Sequence, residues 1–161
     1  MGIITILVPA YNEEAVIEKM YERLNEVCAN LDRHTFEFLF VNDGSQDCTL
    51  ELVKQLKGKD DRVQYVDLSR NFGKEAAMIA GLDYTKGDAV IIIDADLQQP
   101  PELFEEMIHW WEEGYDDVYA VRKEREGESW LKKWTSRKYY HLLQKVSQQD
   151  VYPQVGDYRL L

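Results

Sequence analysis

Asp94 and Asp96 are two carboxylates one residue apart, closing the run Val90-Ile91-Ile92-Ile93. Four consecutive β-branched residues read as a strand buried on both faces, as in a parallel sheet. Side chains at i and i+2 of an extended segment point the same way, so this spacing predicts two carboxylates converging at the strand's carboxyl end. Open α/β sheets bind ligands there. Two like charges held so close repel unless something positive sits between them. A hard divalent cation with oxygen ligands, or the phosphate it carries, meets that need, and Gln98, one more i+2 step along, adds an oxygen. A helix cap before Pro100-Pro101 would explain one aspartate and leave the other without a role.

Three other strand ends are equally polar. Pro9-Ala10-Tyr11-Asn12-Glu13-Glu14 reads either as an Asn cap with acids in the first helical turn or as part of a site, with Tyr11 free to stack on a ring. Asn42-Asp43-Gly44-Ser45 contains turn chemistry, but Asp43 stands level with Asp94, placed to accept hydrogen bonds from a nucleobase. Ser69-Arg70-Asn71-Phe72-Gly73-Lys74 offers two cations, backbone amides and a glycine ahead of a helix N-terminus, which makes an anion cradle. Each motif is weak by itself. Four of them at the same end of one sheet form a strong signal.

The elements that must position them alternate regularly. Strands are expected at Ile3–Val8, Phe36–Val41, Val63–Leu68, Ala89–Ile93 and Asp117–Val121. Helices are expected from Asn12 or Glu13 to about Leu31, from Asp47 to about Lys57, at Lys74–Tyr84 with small residues on one side, at Pro101–Glu112, and near Trp130–Val146. Such alternation implies βαβ units and an α/β fold, a Rossmann-like doubly wound and mostly parallel sheet with helices on both faces.

At 161 residues the chain is expected to form one domain, 1–161, with a substantial core. A net charge of −11 argues against nucleic acid as a partner, and makes any phosphorylated substrate depend on a metal and local cations. Two cysteines are too few for a disulfide framework, and nothing resembles a zinc site. The apolar start lacks a basic region and a cleavage site, so it reads as a strand. No run approaches the ~20 apolar residues of a membrane span. Gly156-Asp157-Tyr158-Arg159-Leu160-Leu161 reads as the beginning of another element, so a fragment of a longer protein is expected.

Val8-Pro9-Ala10-Tyr11-Asn12-Glu13-Glu14, Val41-Asn42-Asp43-Gly44-Ser45, Arg70-Asn71-Phe72-Gly73-Lys74-Glu75, Asp94-Ala95-Asp96-Leu97-Gln98 and Gly156-Asp157-Tyr158-Arg159-Leu160 together resemble family 2 glycosyltransferases of the GT-A fold. Within that family they are most similar to polyprenyl-phosphate sugar transferases, the relatives of dolichol-phosphate mannose synthase. The resemblance implies transfer of one sugar, with inversion, from a nucleotide-diphosphate-sugar donor to an undecaprenyl or dolichyl phosphate. It implies that Pro9, Tyr11, Glu13 and Asp43 hold base and ribose, and that Asp94 contacts the nucleotide or the metal. Asp96 and Gln98 would coordinate Mg²⁺ or Mn²⁺, Lys74 and Arg70 would face phosphate, Arg122 the acceptor phosphate, and Asp157 the reacting sugar. With a phosphate acceptor no strong base is needed; with an alcohol acceptor Asp157 becomes the candidate base. Relatives often carry aspartate where this chain has Gln99, so a role for position 99 does not carry over. The Gln-x-x-Arg-Trp motif of processive synthases is not seen, consistent with a single transfer.

Arg122, Lys123, Arg125, Lys132, Lys133, Arg137 and Lys138 outnumber Glu124, Glu126 and Glu128 in the same stretch, with Trp130 and Trp134 at i and i+4. That pattern suits either a core-packed helix with a solvated face or a helix at anionic headgroups, on the cytoplasmic leaflet that holds the lipid acceptor. Membrane helices after Leu161 and an oligomer are both compatible with this reading. His34, His109 and His141 receive no role, and Trp110-Trp111 reads as packing. Two other readings stay open: sugar transfer to a polysaccharide or protein hydroxyl, and a non-catalytic nucleotide-sugar-binding domain. A paired-carboxylate glycosidase needs acids ~5–9.5 Å apart astride a sugar, which adjacent aspartates do not supply. A dehydrogenase would need G-x-G-x-x-G after the first strand.

Overall fold

The computed structural model describes residues 2–121 and 155–161. Its strands are β1 (Ile3–Ala10), β2 (Thr35–Asn42), β3 (Val63–Asp67), β4 (Ala89–Ile92), β5 (Val118–Val121) and β6 (Val155–Leu160). Between them run α1 (Ile17–Ala29), α2 (Thr49–Lys59), α3 (Lys74–Tyr84) and α4 (Phe104–Glu112), the last preceded by a 3₁₀ turn at Pro101–Leu103. The sheet order is β3-β2-β1-β4-β6-β5. β1 lies parallel to β2 and β4, β2 lies parallel to β3, and β6 returns antiparallel to β4. The expected α/β, mostly parallel sheet is present. Met1–Tyr119 with Asp157–Leu161 forms one compact unit, to which residues 120–156 do not belong. The core and the candidate site belong to that unit. Arg122, the basic stretch after it and the helix expected near Trp130–Val146 lie outside the described residues.

Alternation along the strands separates two apolar layers. Leu7, Leu39, Val41, Val90 and Ile92 gather with Ala77 of α3 on one face. Ile4, Ile6, Val8, Phe36, Phe38 and Phe40 are buried on the other, where Tyr21 of α1 meets Phe38 edge-on. The small residues of α3 have a packing reason. A Cβ on Gly81 would stand 2.6 Å from Leu7 Cδ1 and 2.8 Å from Val41 Cγ2, so glycine lets the helix lie against the sheet. That close approach fixes where the first residue of α3, Lys74, meets the strand ends.

The ends of the elements depart from the expected bounds for physical reasons. α1 begins at Ile17, and Asn12, Glu13 and Glu14 form a loop clasped to the segment before α2. Asn12 N–H donates to Ser45 Oγ, Glu13 N–H to Thr49 Oγ1 and Glu14 N–H to Asp47 Oδ2, while Gln46 N–H donates back to Asn12 Oδ1. Asn12 takes φ +56, a left-handed conformation that asparagine tolerates. The predicted cap is therefore a bridge between loops. The segment Gly156–Leu160, read as the start of an element, is a strand inserted between β4 and β5. Tyr158 anchors it, buried against Phe104, its hydroxyl donating to the Pro100 carbonyl at 2.6 Å.

Candidate functional site

At the carboxyl ends of β1, β2 and β4 lies a cavity of about 360 Å³. Pro9, Ala10, Tyr11 and Glu13 enter it from the first loop and Asp43 from the second. Asn71, Gly73, Lys74 and Ala77 line it from the loop before α3 and the helix itself, and Asp94, Ala95 and Asp96 from the turn after β4. A larger cavity of about 590 Å³, between the α1–β2 loop and α4, is lined by Glu102, Glu105, Glu112, His34 and His109 among others and carries no site residue named above. Size alone does not select the site. Convergence of four strand-end loops does.

β4 ends at Ile92, so Asp94 and Asp96 do not stand on an extended strand. They converge through a turn that puts Leu97 at φ +61. Two side chains hold that turn. Gln99 accepts from Asp94 N–H through Oε1 at 3.0 Å and donates Nε2 to Asp94 Oδ2 at 2.7 Å. Asp96 Oδ1 accepts from Gln98 N–H at 3.0 Å. Gln98 itself is exposed and outside the cavity lining. The role of Gln99 was invisible in the sequence because a glutamine after two aspartates has no motif; only the closure of the turn shows it.

Lys74 joins the two acidic parts of the site. Its Nζ lies 2.5 Å from Asp94 Oδ1 and 2.8 Å from Asp157 Oδ2. Burial alone would lower the Lys74 pKa; the bonds and charges of Asp157 and Asp94 outweigh it and hold the ammonium above its ordinary value. Asp157 comes from β6 and is about half exposed, its side chain 47% accessible. Asp43 is buried, and its two oxygens accept from Phe72 N–H at 2.7 Å and Gly73 N–H at 2.9 Å. The second loop thus holds the third. Gly44 sits beneath the same loop at φ +64, where a Cβ would come 2.3 Å from the Arg70 carbonyl carbon. Arg70 is not among the lining residues and lies over the Phe72 ring, 4.4 Å from its centroid.

The site is acidic enough to attract a cation. Glu13 has a raised pKa, first from burial, then from the charges of Asp96, Asp47 and Asp94. Among the described residues no group of three His, Cys, Asp or Glu side chains is placed to hold an ion. Mg²⁺ is commonly held by one or two carboxylates together with substrate phosphates. Asp96 lines the cavity with one oxygen on the Gln98 N–H, whereas Asp94 has one oxygen on Lys74 and the other on Gln99.

The sequence model of a family described as glycosyl transferase family 2 matches residues 5–161. An uncharacterized glycosyltransferase of Bacillus subtilis (strain 168), YkcC, is 48% identical over 98% of this chain and 48% of its own length. A bactoprenol glucosyl transferase of Shigella phage SfX is 41% identical over 98% of this chain and 52% of its own. The chain spans about half the length of these curated relatives. A crystal structure of glucosyl-3-phosphoglycerate synthase from Mycobacterium tuberculosis, in complex with Mn²⁺, uridine diphosphate and phosphoglyceric acid, superposes with a TM-score of 0.68. The identity there is 22%, over 99% of this chain and 55% of that one.

Proposed function

The chain belongs to glycosyl transferase family 2, and on that premise we propose that it moves one sugar, with inversion, from a nucleotide-diphosphate-sugar to a polyprenyl phosphate at a membrane surface. The fold is that of GT-A glycosyltransferases. The observation that carries the proposal is Lys74 bridging Asp94 and Asp157 beside the open carboxylate of Asp96. It combines a cation for phosphate, a ligand for a metal and a carboxylate for the sugar in one cleft. The likeness to a bactoprenol glucosyl transferase supports the lipid acceptor.

Tyr11 is 41% exposed at the rim, which leaves a ring face for stacking a base. Glu13 and the walls at Pro9 and Ala10 lie beside it. Asp43 holds the loop that bears Lys74, so its action on the donor runs mainly through that loop. Asp96, with Asp94 beside it, would hold Mg²⁺ or Mn²⁺, and the ion would supply positive charge to offset that on the departing nucleotide diphosphate. Lys74 supplies a second positive charge toward the phosphates, and Asp157 orients the sugar hydroxyls. A phosphate acceptor is already an anion, so the residues contribute positioning in place of proton removal. Arg122, assigned by resemblance to the acceptor phosphate, lies outside the described residues.

The test uses the full-length protein, undecaprenyl phosphate and a panel of UDP- and GDP-sugars, with and without EDTA. Turnover that EDTA stops is expected, and Asp96→Asn should lower it at least ~10²-fold. Unchanged turnover in Asp96→Asn would remove the metal assignment. Donor binding without transfer to lipid or to any hydroxyl acceptor would favour the non-catalytic reading.

A further inference from the structure

We propose that Gln99 is a positioning residue for the donor site, acting through Asp94 on Lys74. The inference rests on the reading of this cleft as a nucleotide-diphosphate site, and goes further by naming what keeps it in register.

The argument begins with hydrogen-bond capacity. Position 99 must accept from Asp94 N–H and donate to Asp94 Oδ2 at once, as it does at 3.0 and 2.7 Å. A side-chain amide carries one acceptor and one donor group at its tip, and glutamine has the length to span the turn. An ionised carboxylate at 99 would accept from the amide but set a second negative oxygen against Asp94 Oδ2. An apolar side chain would leave both groups of Asp94 without their partner. Asp94 is only about a quarter exposed, so water replaces that partner poorly.

The consequence passes along the chain of contacts. With Oδ2 held by Gln99, the carboxylate plane of Asp94 is fixed and Oδ1 faces Lys74 Nζ. Lys74 is in turn shared with Asp157. A freed Asp94 could rotate, and Lys74 would follow whichever carboxylate it met. Its ammonium would then lose the place that a pyrophosphate must find. Gln99 lines no part of the cavity, so an effect on binding is indirect, and its side-chain bond leads to Asp94.

The probes are UDP and GDP, each titrated calorimetrically into the full-length protein with MnCl₂. Gln99→Met keeps the length and removes both bonds; Gln99→Glu keeps the acceptor and adds a charge. Gln99→Met should raise the dissociation constant of whichever nucleotide binds about tenfold, and Gln99→Glu by more. A double-mutant cycle separates positioning from a general loosening of the turn. In a Lys74→Met background, Gln99→Met should cost less than about twofold, because the group it positions is gone. Equal losses in both backgrounds, or parent-like binding by Gln99→Met and Gln99→Glu, would overturn the inference and leave the site assignment standing. A parent chain that binds neither nucleotide would overturn both.

Discussion

Asp43 illustrates how one buried carboxylate can shape a site without reaching across it. Each of its oxygens takes a backbone N–H of the loop that ends at Lys74, and Gly44 beside it leaves no room for a Cβ. Asp43→Asn exchanges one acceptor for an N–H₂ facing a backbone N–H, so one partly buried bond is lost. The expected loss is about 1–3 kcal/mol of stability, read by urea unfolding, together with about tenfold weaker nucleotide binding. Parent-like values of both would show that the loop is held otherwise. A strand-end carboxylate at 43 was legible in the sequence, and so was its nearness to Asp94. Its partners were not, because they are backbone groups 29 and 30 residues further on, whose closeness depends on where α3 docks. Arg70 was legible as a cation, but its resting place was not, for a related reason. A cation beside an aromatic ring has a second place to go, and here it lies over Phe72.

At the scale of elements, the seams between helices carry as much information as the helices. Asp60, just after α2, accepts from Tyr21 Oη of α1 at 2.7 Å and from Arg62 N–H, Nε and guanidinium N–H₂. The Arg62 side chain, chiefly, lowers the Asp60 pKa from its ordinary 3.8 to about 2, against the opposing effect of partial burial. A carboxyl whose folded-state pKa is depressed stabilises the fold above its unfolded value, and that contribution fades as pH falls toward 2. Thermal melting followed from pH 6 to pH 2 should therefore decline more steeply between pH 4 and 2 in the parent than in Asp60→Asn. Parallel curves would count against the clasp. The bounds of most strands and helices were readable because buried β-branched runs and helical spacing are local properties. The start of α1 was misread because Asn12, Glu13 and Glu14 have capping chemistry, and that same chemistry found partners at residues 45–49. β6 was seen only as an element, since its antiparallel place beside β4 depends on contacts made far along the chain.

Over the whole molecule the charge is uneven. A chain at −11 concentrates Arg122, Lys123, Arg125, Lys132, Lys133, Arg137 and Lys138 in one stretch. If that stretch steers the protein to anionic lipid, substituting Lys132, Lys133 and Trp134 together by alanine should weaken co-sedimentation with phosphatidylglycerol vesicles at least about tenfold. The effect should shrink in high salt. Equal sedimentation of parent and variant would refute lipid steering. The return of β6 has a further consequence. Lys74 is clamped between Asp94 and a carboxylate 83 positions downstream of it. A ribosome therefore releases the loops after β1 to β4 that line the cleft well before the strand that carries Asp157. Until that strand has emerged and docked, the growing polypeptide carries Lys74 with only one of these two carboxylate partners.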